Sequence, residues 1–366
     1  MRNRVIIFSI FLLLVVVTFS ACIKKPTITA KQTADKNQQI QSNSEEYKVE
    51  IDKNPLYPIE INGKYGYIDK AGKVVIKPQF CDARNFYEGL ARAAVDKIEG
   101  QKYMQLNGTW GYIDKTGKFV IKPSFDYNIG DFKEGLATVL VDGKYGYIDK
   151  TGNFAIKPQY GFLGNFSEGL ANVEVNGKYG YIDKTGKIVI KPQYDFARGF
   201  SEGLAGVEVK GKTGYIDKTG KMVLSPIYTE VPGNLHEGLI SVFVNGKYGF
   251  INSLGKIIVT PKYGRTMDFS EGLAAVRING KWGYIDRTDK MIIKPQYDEV
   301  GFRFCDGITT IKANEKMGYM DKNGKVIIEP KFDRTEDFYQ GLGRVEINET
   351  HGYIDTIGKY IWKPTK

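Results

Sequence analysis

From about residue 55 onward, apolar and polar side chains alternate in short runs. Leu170 to Val175 puts Ala171, Val173 and Val175 on one side and Asn172 and Glu174 on the other, the period of two of a half-buried strand. Asn176-Gly177 follows. This pair predicts a tight hairpin, because both central residues of a type I′ turn need positive φ. A second strand is expected over 179–183, where Gly180 marks a close approach by another backbone or a large ring. The turn Asp183-Lys184-Thr185-Gly186-Lys187 then leads into a third strand over 187–190. Lys191-Pro192 should end that strand, since proline has no NH for a ladder. A connector over 193–202 closes on Glu202-Gly203-Leu204 and opens the next strand. The local pattern is a three-stranded β-meander.

The pattern recurs nine times, and its middle phrase begins at Tyr65, Trp110, Tyr145, Tyr179, Thr213, Tyr248, Trp282, Met317 and His351. The glycines that follow are spaced by 45, 35, 34, 34, 35, 34, 35 and 34 residues, so only the first gap is long. The surplus lies around Val95 to Tyr103 and should form a loop on one face. Glycine holds the fourth place of the second turn in eight of nine copies, with Asp289 as the exception, as a left-handed position requires.

A unit of about 34 residues cannot enclose a core, so neighbours must cover its apolar faces. Two all-β architectures meet that demand: an open, curved, solenoid-like stack of about nine meanders, or a closed β-propeller. Whole units stand at both ends, starting at Tyr57-Pro58-Ile59 and stopping at Trp362-Lys363-Pro364. Closed propellers commonly split a blade between the termini and number four to eight blades. The open stack is therefore the expectation.

The N-terminal segment sets the address. Arg2 and Arg4 precede the apolar stretch Val5 to Val17, and then comes Phe19-Ser20-Ala21-Cys22. The apolar stretch is short of the roughly 20 residues a membrane span needs. Residues 1–21 read as a signal peptide. The small residues before Cys22 resemble the lipobox of bacterial lipoproteins, which implies cleavage there and a diacylglyceryl thioether on Cys22. Stable anchoring takes more than one acyl chain. Residues 22–47 form the lipidated cysteine and a polar tether, which lacks the apolar surface to fold. A coil of that length reaches roughly 25 to 30 Å. The repeat domain is expected over 48–366.

The phrases Trp110-Gly111-Tyr112-Ile113-Asp114-Lys115 and Trp282-Gly283-Tyr284-Ile285-Asp286 resemble the WG-repeat (KWG) family of bacteria. The third-strand signature Ile-Lys-Pro-Gln-(Tyr/Phe) supports the likeness at Ile76, Ile156, Ile190 and Ile293. The resemblance covers about residues 55–366, although Tyr, Thr, Met or His replaces Trp in seven copies. It implies a β-rich repeat of secreted, surface and interaction proteins, without assigned catalysis and without ligand-binding residues to carry over.

Charge and candidate chemistry narrow the function. The chain carries a formal charge of +10, and losing residues 1–21 removes Arg2 and Arg4 alone, so 10 − 2 leaves +8. For an exported protein that excess points to anionic wall polymers, headgroups or acidic proteins, with no nucleic acid. His236 and His351 replace Ser and aromatic residues of other copies, and neither is placed as a base. The acids Glu88, Glu134, Glu168, Glu202, Glu237 and Glu271 become Asp306 and Gln340. A backbone acceptor tolerates that exchange better than a metal ligand does. The turn aspartates from Asp69 to Asp355, with Asn252 among them, are too isolated for calcium loops. No residue is read as catalytic, cofactor-binding or metal-ligating.

Cys81 and Cys305 stand off the repeat framework, and a bridge between them would count against an open stack. The repeated aromatics could stack on sugars or pack between units, and packing explains the intervening glycine better. Two functions follow. The first is a non-catalytic, lipid-anchored interaction scaffold at the extracytoplasmic face of a bacterial membrane, binding envelope proteins or anionic polymers. The second is a wall-glycan enzyme or accessory, for which Asp96 and Glu99 are the close off-pattern acids.

Overall fold

The structure is a computed structural model that describes residues 52–95, 108–126, 129–229 and 233–365. The signal peptide, Cys22, the tether, and Asp96 with Glu99 lie outside the described residues.

Blade 4 shows how one unit is built. Its strands are Phe162–Leu163, Leu170–Val175, Lys178–Asp183 and Ile188–Tyr194, paired antiparallel in that order. The Asn176-Gly177 turn has φ of 52° and 75°, as the hairpin requires. A second turn of the same kind joins the leading strand to the next one, with Glu168 and Gly169 at φ of 54° and 84°. Sequence reading took this leading strand for an irregular connector, because Glu-Gly is a weaker turn signal than Asn-Gly.

The final strand also differs from expectation. It continues through Pro192 to Tyr194 instead of stopping at Lys191-Pro192. Tyr181 pairs with Ile190 and Tyr179 with Tyr194, so the final strand spends four residues where its partner spends two. The resulting bulge accommodates a proline without costing a ladder bond. It also explains Gly180, where a Cβ would lie 2.4 Å from the Ile190 carbonyl oxygen and 2.6 Å from the Pro192 nitrogen.

Nine such antiparallel sheets follow one another along the described chain: blade 1 over 57–80, then 82–125, 136–160, 162–194, 196–228, 239–263, 265–297, 299–332 and blade 9 over 334–365. Among the described residues blades 1, 3 and 6 have three strands and the others four. In blades 4 to 8 the first four residues of the strand leading into the repeated phrase are covered on both faces, contrary to the half-buried reading, whereas Leu136–Val141 of blade 3 keeps the alternation. Asn172 is only 6% exposed and donates its side-chain NH to the Ala197 carbonyl of the next blade, at 2.9 Å.

The open stack is overturned: the nine blades form a closed β-propeller. Each apolar cluster is shared by two successive blades, as where Tyr181 and Ile190 of blade 4 meet Ala205, Val207 and Ile216 of blade 5. Another cluster joins the two ends, combining Tyr57, Ile59 and Ile68 of blade 1 with Leu342 and Tyr353 of blade 9. Tyr353 donates its hydroxyl to the Pro58 carbonyl at 2.8 Å, and Tyr57 donates to the Gln340 carbonyl at 2.9 Å. Among the described residues blade 1 has no leading strand, and Tyr339 of blade 9 reaches past it to the Phe86 carbonyl of blade 2 at 3.0 Å.

The ring therefore shuts by side-chain packing between whole blades. The expectation of an open stack failed because neither strand exchange between the termini nor a limit of eight blades is a condition of closure. Cys81 and Cys305 are not joined by a disulfide in the closed ring.

Closure makes Tyr57 an interior residue, 1% exposed. Tyr57→Ala should lower unfolding free energy in urea by about 3 to 5 kcal/mol, the usual cost of truncating a buried aromatic. At the free end of an open stack the same change would cost under about 1 kcal/mol.

Candidate functional site

The fold uses some of the repeated polar residues and leaves others open to solvent. The third residue of the repeated phrase belongs to the fold. Tyr67, Tyr112, Tyr181 and Tyr319 are buried and donate their hydroxyls to backbone carbonyls of the next blade, at Arg84, Gly130, Arg198 and Glu336, over 2.7 to 2.8 Å. Tyr147 does the same to Gly164, and Phe250 fills the place without a hydroxyl. Tyr181 also packs against Phe200 of the next blade, with ring centroids 4.9 Å apart. Burial pushes these phenols well above their usual range. The rings at this position are interblade packing, as preferred from the sequence.

The repeated glutamates are structural acceptors. Glu134 accepts from the Gly169 NH of the next blade at 3.0 Å and pairs with Lys184 of that blade at 3.1 Å. Glu168 repeats this with Gly203 at 3.1 Å and Lys218 at 2.9 Å, as does Glu88 with Gly135 at 2.9 Å and Lys150 at 3.1 Å. Glu202 finds Ser253 where the lysine would be, and instead accepts from the NH groups of Glu237 and Gly238 at 2.5 and 2.7 Å. Asp306 accepts from Gly341 at 2.8 Å. The reading as backbone acceptors is confirmed for these acids, whereas the Gln340 side-chain oxygen is buried without a hydrogen-bond partner among the described residues. Unforeseen was the left-handed backbone of the acids themselves, with φ near 50° from Glu88 to Gln340. For a non-glycine residue that conformation costs roughly 1 to 2 kcal/mol, which the interblade contacts offset.

The turn aspartates are engaged within their own turns. Asp183 accepts from the Thr185 and Lys187 NH groups at 2.9 and 3.1 Å and from the Thr185 hydroxyl at 2.6 Å. The Thr185 hydroxyl is the main cause that holds its carboxyl below the ordinary value. Asn252 fills the same role, accepting from Leu254 and Lys256 at 3.0 and 2.9 Å. Asp289, standing where other copies have glycine, sits at φ 68° and accepts from Tyr263 of the preceding blade at 2.6 Å.

His236 lies 3.6 Å from Asp268, whose carboxyl burial pushes up against the opposing effects of His236 and Arg198. His351 lies 3.7 Å from Glu346 and is held below its usual range chiefly by burial. Burial raises the Cys305 thiol to about 11, which leaves it protonated and a poor nucleophile at neutral pH. Among the described residues no three His, Cys, Asp or Glu side chains are grouped as a metal site.

What the fold leaves open is one face of each final strand. Ile76, Ile121, Ile156 and Ile190 point into the interblade cores. The alternate residues face solvent: Val75, Val120 and Val189 are 47%, 45% and 44% exposed, and Lys77, Lys122, Lys157, Lys191, Lys294 and Lys363 are exposed beside them. These six lysines form no ion pair among the described residues. The recurrent Lys after Ile was visible in the sequence as part of the repeat signature. Its exposure was not, because the strand was taken to end there.

The fold is thus a propeller of short tandem β-repeats with a basic solvent face. The sequence profile of the WG containing repeat matches residues 65–97, 110–145, 145–179, 179–212, 214–248, 248–282, 282–316 and 317–350, and the chain belongs to that family. No curated protein matches it in sequence. Among solved structures it is similar to a eukaryotic initiation factor, with 11% identity over 86% of this chain and 96% of the other at a TM-score of 0.61. Weaker likenesses include BamB from Moraxella catarrhalis, at 13% identity, 83% and 92% coverage and TM-score 0.40. AztD from Citrobacter koseri follows at 12%, 86% and 93%, and 0.38. The first likeness shows the fold alone.

Two substitutions test the assigned roles. Tyr181→Phe should cost about 1 kcal/mol in urea unfolding, the net worth of one hydrogen bond. Asp183→Asn should fold normally, as Asn252 does. The low carboxyl pKa of Asp183 contributes stability above its unfolded value of about 3.9, and this is lost as pH falls through the lower folded value. The variant's deficit relative to the parent should therefore shrink between pH 5 and pH 2.5, read as converging urea midpoints.

Proposed function

We propose that this protein is a non-catalytic docking scaffold, exported, held by lipid on Cys22 at the extracytoplasmic face of a bacterial membrane, and binding anionic cell-envelope polymers through its repeated basic surface. One observation carries the reading. The repeated carboxylates are spent on interblade and turn contacts, while lysines of the final strands stay open to solvent. An array of similar, individually weak cationic contacts gains avidity from multivalency. The tether would hold the ring within roughly 30 Å of the headgroups, where envelope polymers pass.

A wall-glycan enzyme would need two carboxylates at a defined separation beside the scissile bond. The repeated acids described above are already engaged in the fold, which favours the scaffold reading.

The mature chain, residues 22–366 with Cys22→Ser to keep it soluble, should pellet with isolated cell-wall sacculi at low salt. Removing the anionic polymers or raising salt should release it. Retention in the supernatant throughout would defeat the polymer reading and make an envelope protein the partner to seek by cross-linking in cells. For the anchor, the intact protein should partition with membranes and carry acyl mass on Cys22, and Cys22→Ser should abolish both.

A further inference from the structure

The exposed lysines are not evenly distributed around the ring. In the place after the buried aliphatic residue of the final strand, blades 1, 2, 3 and 4 carry Lys77, Lys122, Lys157 and Lys191, and in the same register blade 9 carries Lys363 after the half-buried Trp362. Blades 5, 6 and 8 carry Ser225, Thr260 and Glu329 instead, which isolates Lys294 of blade 7. In linear order Lys363 is remote from Lys77. The closed ring makes them neighbours, since the blade 1 turn lies on the final strand of blade 9: a Cβ on Gly72 would be 2.5 Å from the Ile361 carbonyl oxygen.

We infer that ring closure assembles one binding arc from Lys363, Lys77, Lys122, Lys157 and Lys191, and that its ligand is a linear phosphodiester polymer lying across successive blades. The inference rests on the anionic-polymer reading above and adds the place and the chemistry.

The turn of each blade packs on the final strand of the one before, as Gly117 does on Ile76 and Gly186 on Ile156. This brings the post-turn lysines Lys73, Lys118 and Lys187, all exposed, beside the arc. Packed sheets lie about 10 Å apart, close to the Debye length at physiological salt, so lysines on adjacent blades act together on a polyanion. Lysine supplies a compact point charge suited to successive phosphates that present no fixed bidentate geometry. The exposed Val75, Val120 and Val189 offer apolar ground to the carbon linkers between phosphates. One such lysine per blade makes a curved single file, and a flexible chain of charges matches that shape better than a planar layer of lipid headgroups does.

The test uses the mature chain with Cys22→Ser and a fluorescent glycerol-phosphate oligomer of about ten units, titrated at several salt concentrations. The arc variant K77Q/K122Q/K157Q/K191Q/K363Q is compared with K221Q/K256Q/K290Q/K294Q/K325Q, which removes the same charge elsewhere. All ten lysines are exposed, and unchanged melting midpoints would confirm folding. The arc variant should bind more than about tenfold more weakly, with the salt slope reduced by roughly three, and the control should weaken less than about threefold. Equal losses in both variants would overturn the arc, while leaving the broader reading intact if the parent still pellets with sacculi. Equal affinity for polyglutamate of matched length would overturn the phosphate assignment. Arc-dependent binding to vesicles of about 30% anionic phospholipid, as tight as to the oligomer, would overturn the choice of polymer over headgroups. A parent that binds neither oligomer nor sacculi would sink both proposals.

Discussion

A small antiparallel sheet with two apolar faces cannot cover either by itself, and the rest of this molecule answers that constraint. Tyr181 and Ile190 on one face of blade 4 are buried because Ala205, Val207 and Ile216 of blade 5 lie against them. The opposite face of the same blade, with Ala171, Val173 and Ile182, is covered by Tyr147 and Ile156 of blade 3. An open row repeats this solution at each internal joint and leaves one apolar face bare at either end. Closing the ring removes both ends at once, which is why Tyr57 and Tyr353 occupy a buried cluster.

The same constraint determines where polar groups go. Two stacked sheets bury backbone groups at their joints, and such groups must be paired. Tyrosine hydroxyls, the repeated glutamates and Asn172 pair them across the joint. Departures from the repeat mark altered needs at particular joints. Phe250 gives up the hydroxyl, Asn252 keeps the turn without a charge, and Asp289 trades turn glycine for a bond to Tyr263. What looks in sequence like a supply of acids for chemistry is largely spent on holding blades together.

Function then falls to what packing does not consume. One face of each final strand meets the next blade and the other meets solvent, so valine and lysine alternate with buried isoleucine along it. The lysines that follow the buried isoleucine lie on that solvent face in blades 1 to 4. Lys363 joins them only because blade 9 stands next to blade 1.

The amino-acid sequence by itself determined the unit. Asn-Gly turns, period-two alternation and the invariant glycine of the repeated phrase state local backbone geometry, and each of these was legible at positions such as Asn176, Val173 and Gly180. The role of Glu168 as a backbone acceptor was also readable, because a metal ligand tolerates exchange for Gln340 poorly, although the Gln340 side-chain oxygen is itself buried without a hydrogen-bond partner among the described residues. The leading strand was missed because Glu-Gly turns owe their left-handed geometry to contacts with the next blade, which no local window contains. The continuation of the final strand past Pro192 depended on a bulge that only its pairing with Tyr179 defines. Closure was decided by tertiary structure alone. Whether the two ends meet depends on the small rotation between successive blades summed over the whole array, and that rotation is set by side-chain packing at each joint and written in no single repeat.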